Sequence, residues 1–188
     1  NKINLLFGQE DFRPSCIVSV NPHVIEQNLE FFNSTELPVF IDSDGVTGIG
    51  VKFRQNIVAL HSCFIRRFAK DCSISIYQGN TVTFVALQLA FHMGFKEVAL
   101  IGCDHYFSSQ GPANTLVESE SDDPNHFHPD YFGKGVKWQL PDLFESEVAY
   151  TMAKNVYEAH GRKVYNCTDG GALEIFERKS LDEFLASK

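Results

Sequence analysis

The sequence predicts an α/β protein, a Rossmann-like three-layer sandwich with a mostly parallel sheet and a long lid loop over about residues 108–141. Three observations predict it. Short apolar runs rich in β-branched residues alternate with stretches of helical apolar spacing. Polar residues gather directly after the strand candidates, where open parallel sheets bind ligands. One segment, 108–141, breaks the periodicity with Ser, Gly, Pro, Asn and Asp.

Taken in order, "SCIVSV" (15–20) reads as a short buried strand closed by Asn21 and Pro22. Pro22 suits the first turn of a helix, "PHVIEQNLEFF", whose Val24, Ile25, Leu29 and Phe32 recur at helical spacing. "LPVFID" (37–42) is the next strand, ending at Asp42 before the turn-rich "SDGVTGIG"; "NIVAL" (56–60) and "SISIY" (73–77) are further strands. A helix over 81–93 is apolar on nearly every face, so it belongs between the sheet and another layer, and Gly94 stands at its C-terminal cap. "EVALIG" (97–102) is a continuous apolar run of the kind found in the middle of a parallel sheet. After residues 108–141, Asp142 and Glu145 open a helix in the manner of a capping box, and it runs to Ala159 before Gly161. "KVYNC" (163–167) is the last strand, "TDGGALEIF" a glycine turn with an extended tail, and Ser180 with Glu183 caps a short terminal helix.

The 188 residues, 44% of them hydrophobic, suffice for one domain with a substantial core, spanning 1–188. A net charge of -8 argues against nucleic acid, which demands clustered Lys and Arg; the longest basic cluster is Arg66, Arg67 and Lys70. No run approaches the roughly 18 to 20 apolar residues of a membrane span, and no secretory leader is legible, so a cytoplasmic location is expected. The five cysteines are scattered without a CxxC pair, which indicates neither a disulfide framework nor a zinc site and points to reduced core thiols. The sequence opens at Asn1 and not at a methionine, as a trimmed polypeptide would.

The chemistry sits at the strand ends. Gly79, Asn80 and Thr81 lie between a strand and a helix start, where free amides and the helix dipole favour an anion; an ordinary helix cap fits equally well. Asp104, His105 and Tyr106 follow the strand expected at the centre, and a carboxylate with an imidazole there can hold a substrate hydroxyl, ligate a metal or orient one another. His126 and His128 occupy the long loop, placed to act as a general base over a bound substrate, or else simply exposed. His23, His61, His92 and His160 have no such context and read as structural or solvated. Thr168, Asp169, Gly170 and Gly171 form a turn able to contact a ribose or base, or a plain hairpin turn.

The segments "GNTVTFVALQLAFHMGFKEVALIGCDHYF", "NHFHPDYFGKG" and "GRKVYNCTDGGALEIF", in that order, resemble the 6-hydroxymethylpterin diphosphokinase-like family. That family includes archaeal pterin pyrophosphokinases and motility-associated factors that glycosylate flagellin with nonulosonic acids, and its fold is similar to that of bacterial sialyltransferases using a CMP-activated sugar. The resemblance implies nucleotide-sugar contacts from Asn1 and Asn21, phosphate assistance from Tyr106 in the Gly102–Tyr106 stretch, and a loop histidine, His126 with His128 as rival, as general base. It also implies an opening strand and glycine-rich turn ahead of Asn1, and no clear counterpart exists in "FSSQGPANTL" for a second phosphate-binding tyrosine.

These expectations converge on a metal-independent, inverting glycosyltransferase-like domain that transfers a nonulosonic acid from a CMP-sugar to a glycan or protein acceptor, with no cofactor required. The alternative is ATP-dependent diphosphate transfer to a hydroxymethyl pterin, with Mg2+ held by Asp42, Asp44 and Asp104. A third reading is a non-catalytic binding module of a polysaccharide-biosynthesis protein. A homo-oligomer stays open.

Overall fold

Apolar runs and helical patterns condense into strands and helices in the order the sequence dictates. The computed structural model of the chain describes residues 2–109 and 111–187. After a 3-10 turn at Ile3–Leu6 come β1 (Ile17–Ser19), α1 (Pro22–Gln27), α2 (Leu29–Ser34), β2 (Val39–Asp42) and β3 (Ile57–Leu60). Next are α3 (Val82–His92), β4 (Glu97–Leu100), β5 (Leu116–Glu118) and β6 (Lys137–Gln139). The chain ends with α4 (Leu143–Ala159), β7 (Lys163–Asn166), β8 (Glu177–Arg178) and α5 (Leu181–Ala186). The strands form two parallel ladders, β1-β2-β3 and β4-β7-β8, and an antiparallel pair, β5-β6.

Strand pleating sorts the apolar side chains into Rossmann-like layers. On one face Ile17, Val39, Ile41 and Ile57 meet Ile25 and Phe32 of α1 and α2, while Ala99, Tyr165 and Cys167 meet Phe184 of α5. On the other face α3 serves both ladders. Its Val85 and Leu89 pack on Val20 and Leu60, and its Phe84, Leu87 and Phe91 join Leu100, Val164 and the α4 residues Ala149, Ala153 and Tyr157. This double burial is why α3 is apolar all round; each such side chain contributes about 1.5–3 kcal/mol. Its one polar interior residue, Gln88, is fully buried and fully used. The Gln88 Oε1 accepts from the Ala69 and Tyr77 amides (2.9 and 3.3 Å), and Nε2 donates to the Tyr77 and Phe84 carbonyls (2.8 and 3.3 Å).

Several expectations are corrected. "SISIY" makes only an isolated bridge, Ser62 to Ile76, because Gln88 takes up the backbone groups of Tyr77 and Ile74 points outward. The helix expected over 22–32 is two helices broken at Asn28, whose side-chain amide pairs reciprocally with that of Asn4 (2.8 and 3.3 Å). β4 is an end strand of its ladder and not a central one; its apolar run reflects helices covering both faces, a demand independent of how many strands flank it. The α4 capping box is half formed: Asp142 accepts from the Glu145 amide (3.0 Å), but the Glu145 carboxylate reaches Arg66 instead (2.7 Å). Ser180 and Glu183 form the complete box on α5. Of the cysteines only Cys72 and Cys167 are buried.

The loop 108–141 is also more ordered than its composition implies. It carries β5 and β6, and its Phe132, Trp138 and Leu140 pack with Val24 of α1, while Gln27 donates to the Lys137 carbonyl (2.7 Å). It therefore packs as a cap beyond the strand ends. Among the described residues no helix is long and apolar enough to cross a membrane.

Candidate functional site

One cavity of about 580 Å³ lies between the α3 N-terminus, the residues after β4 and the cap. It gathers Asn80, Thr81, Asp104, His105, Tyr106 and His126, six of the residues singled out from the sequence. Its floor is set by backbone constraints. Gly79 and Asn80 both have positive φ (60° and 57°), and a Cβ on Gly79 would lie 2.6 Å from Phe84 and 2.8 Å from Ala149, so only glycine permits this turn to press against α3 and α4. Thr81 then caps α3: its Oγ1 accepts from the Thr83 amide (3.3 Å) and pairs with the Tyr150 hydroxyl (3.2 Å). The positive end of the α3 dipole thus faces the cavity.

The β4 tip is locked from below. The Cys103 amide donates to Thr168 Oγ1 (3.0 Å) and the Ala172 amide to the Asp104 carbonyl (2.7 Å). Gly171 approaches so closely that a Cβ would lie 2.9 Å from the Asp104 backbone. His105 adopts positive φ (54°), which turns its ring onto Glu147 Oε1 (3.1 Å) and edge-on to Tyr150. Tyr106, in contrast, is 66% exposed at the cavity mouth.

Another part of the cavity lining centres on His126. Its Nδ1 lies 2.7 Å from Asp123 Oδ2, and the Asp123 side chain is only 2% exposed. The same carboxylate accepts from the Asn125 amide (2.8 Å) and the Phe132 amide (3.0 Å). An ionised carboxylate only accepts, so Nδ1 carries the proton and Nε2 the lone pair. The imidazole stacks on Tyr131 at 4.0 Å with the planes 1° apart, and meets Phe107 and Phe132 edge-on. Burial pushes the His126 pKa below its usual value, more than the Asp123 carboxylate raises it. Burial also raises the Tyr131 phenol to about 12. The result is a neutral imidazole, oriented by a carboxylate, on an aromatic wall.

Other residues singled out from the sequence fall elsewhere. The Asn21 side chain accepts from the His23 and Val24 amides and caps α1. His128 does not line the cavity: its Nδ1 accepts from the Asp130 amide (3.1 Å) and its Nε2 meets Gln9 (3.0 Å). Gly79 lies beneath the turn. Thr168 and Gly170 line a neighbouring cavity of about 700 Å³ that shares Ile101 and Gly102 with the first, and the Gly170 and Gly171 carbonyls accept from Arg178 (2.7 and 2.9 Å). Asn1 lies outside the described residues. Asp42 accepts from the Gly45 amide (2.6 Å) and from the Ser62 hydroxyl, and Asp44 faces His61 at 3.8 Å. Among the described residues no group of three His, Cys, Asp or Glu side chains is placed to hold a metal ion, so Asp42, Asp44 and Asp104 are not gathered into one.

Asp123, Glu147 and Lys2 were not singled out from the sequence. Asp123 was legible as a carboxylate three residues before a histidine in "DDPNH"; the other two are joined to the site only by tertiary contacts. Comparison with protein-family models, curated proteins and solved structures finds no match for this chain.

Proposed function

We propose that this chain is a glycosyltransferase-like domain that transfers a nonulosonic acid from a CMP-sugar to an acceptor hydroxyl, in surface-glycan or flagellin glycosylation. The observation that carries the reading is that His126, held through Nδ1 by Asp123, lines the same cavity as the α3 N-terminus. His126 Nε2 takes the proton of the acceptor hydroxyl as its oxygen bonds to the anomeric carbon. The bond from that carbon to the phosphate oxygen breaks, CMP leaves with the electron pair, and the configuration inverts. Tyr106 and the helix end offset the charge developing on the phosphate. The nucleoside occupies the neighbouring cavity by Thr168 and Gly170.

Thermal shift tests the donor class. CMP without metal at about 100 times its Kd stabilises by about 2.7 kcal/mol, a rise of about 5–10 °C for a chain of this length. Stabilisation only by ATP with magnesium overturns the reading in favour of diphosphate transfer, and no shift with either ligand favours a non-catalytic binding module. Transfer to a synthetic acceptor then falls about 10²–10⁴-fold in His126→Ala. A loss of that size in His128→Ala instead reassigns the base.

A further inference from the structure

Lys2 is 7% exposed, although lysine is among the residues least often buried. Its Nζ donates to the Tyr131 carbonyl (2.6 Å) and lies 5.3 Å from the Phe132 ring centroid and 5.8 Å from that of Tyr131. Tyr131 and Phe132 are the two rings that stack on and abut His126, and the Phe132 amide is held by the Asp123 carboxylate. The ammonium, the two rings, the carboxylate and the imidazole therefore form one connected wall. A methylene chain filling this space would pack equally well, so burial of an ammonium here calls for a reason beyond packing.

We propose that Lys2 is a positioning residue for His126: its ammonium grips Tyr131, holds that ring against the imidazole, and fixes a positive charge beside the Asp123–His126 pair. The role rests on His126 being the base of the proposed transfer. The charged and titratable groups facing His126 are Asp123 and Tyr131 of the cap, Asp104 after β4 and Lys2. Asp123 and Asp104 favour the imidazolium, and Lys2 opposes it. Burial keeps the imidazole unprotonated beside its orienting carboxylate, and the Lys2 charge adds to that effect, as suits a base working near neutral pH. Burial depresses the Lys2 pKa, and the nearby Asp123 carboxylate partly offsets this.

The test follows the His126 ring by NMR in histidine-labelled protein between pH about 4.5 and 8.5, in the parent chain, in Lys2→Met and in Lys2→Gln. Lys2→Gln removes the charge while keeping a neutral amide donor, one bond shorter, toward the Tyr131 carbonyl. In both variants the His126 titration midpoint moves up by about half to one pH unit, and the acid limb of the transfer rate moves with it. An unmoved midpoint in either folded variant overturns the proposal; if Lys2→Met does not fold, Lys2→Gln alone decides. Ring titration needs no turnover, so a shifted midpoint in a protein that binds no CMP refutes the transferase reading while the Lys2–His126 coupling stands.

Discussion

Replacing Asp123 by alanine tests the core of the site without any substrate. The Asp123 carboxylate accepts three hydrogen bonds, from His126 Nδ1 and from the Asn125 and Phe132 amides, at 2.7–3.0 Å with a side chain 2% exposed. The Phe132 amide is buried, so truncation strands it at a cost of about 1–3 kcal/mol, and the other two bonds to a charged acceptor add to that. A net loss of about 3 kcal/mol is expected, or a fall in Tm of about 6–12 °C for a chain of this length. Urea denaturation at pH about 7.5 measures the first figure and calorimetry the second. Nitrogen shifts of the His126 ring supply an independent readout: the proton held at Nδ1 in the parent should move to Nε2 once the acceptor is gone. Asp123→Asn, which keeps one acceptor oxygen, should lose roughly half as much. Stability within about 0.5 kcal/mol of the parent in Asp123→Ala, with the tautomer unchanged, would refute the reasoning.

Three further outcomes are expected. Gln88→Leu, which removes a buried amide serving Ala69, Tyr77 and Phe84, should destabilise by about 2–4 kcal/mol in denaturant and loosen hydrogen-exchange protection at the Ala69 and Tyr77 amides. Gly79→Ala adds a Cβ 2.6 Å from Phe84 at a φ of 60°, so strain and overpacking together should cost about 2–4 kcal/mol, read as a fall in denaturation midpoint. Because burial holds the His126 pKa below its unfolded value, the folded state binds this proton less readily than the unfolded chain; stability from this group is complete above pH about 6.5 and is lost as pH falls through the folded pKa. His126→Gln should flatten that acid-side slope in a stability profile taken from pH about 7.5 to 5.

The local pattern was sufficient for most of the architecture. Apolar runs at 17–19, 39–42, 57–60 and 163–166 became parallel strands, and the mostly apolar 82–92 became the helix shared by both ladders, because period and burial are properties of a short window. The rule that ligands sit beyond strand ends brought Asn80, Thr81, Asp104, His105 and Tyr106 into one list, and all of them line one cavity. At Asn21, Asp42 and Gly171, polar or backbone groups serve the fold itself, since a residue after a strand is as useful for capping a turn as for holding a ligand.

What only the tertiary structure decided is which histidine faces the cavity, which strands lie at the ends of the ladders, and what surrounds the imidazole. His126 and His128 are two residues apart with nearly the same neighbours in sequence, yet one meets Asp123 and Tyr131 over the cavity and the other meets Gln9. That choice follows from how 108–141 packs its Phe132 and Trp138 against α1, a long-range contact with no local signature. Lys2 reaches Tyr131 across 129 residues of chain. Short-range periodicity specifies faces and ends; the protonation and aim of a single ring depend on charges and rings delivered from distant segments, and these exist only once the chain has closed on itself.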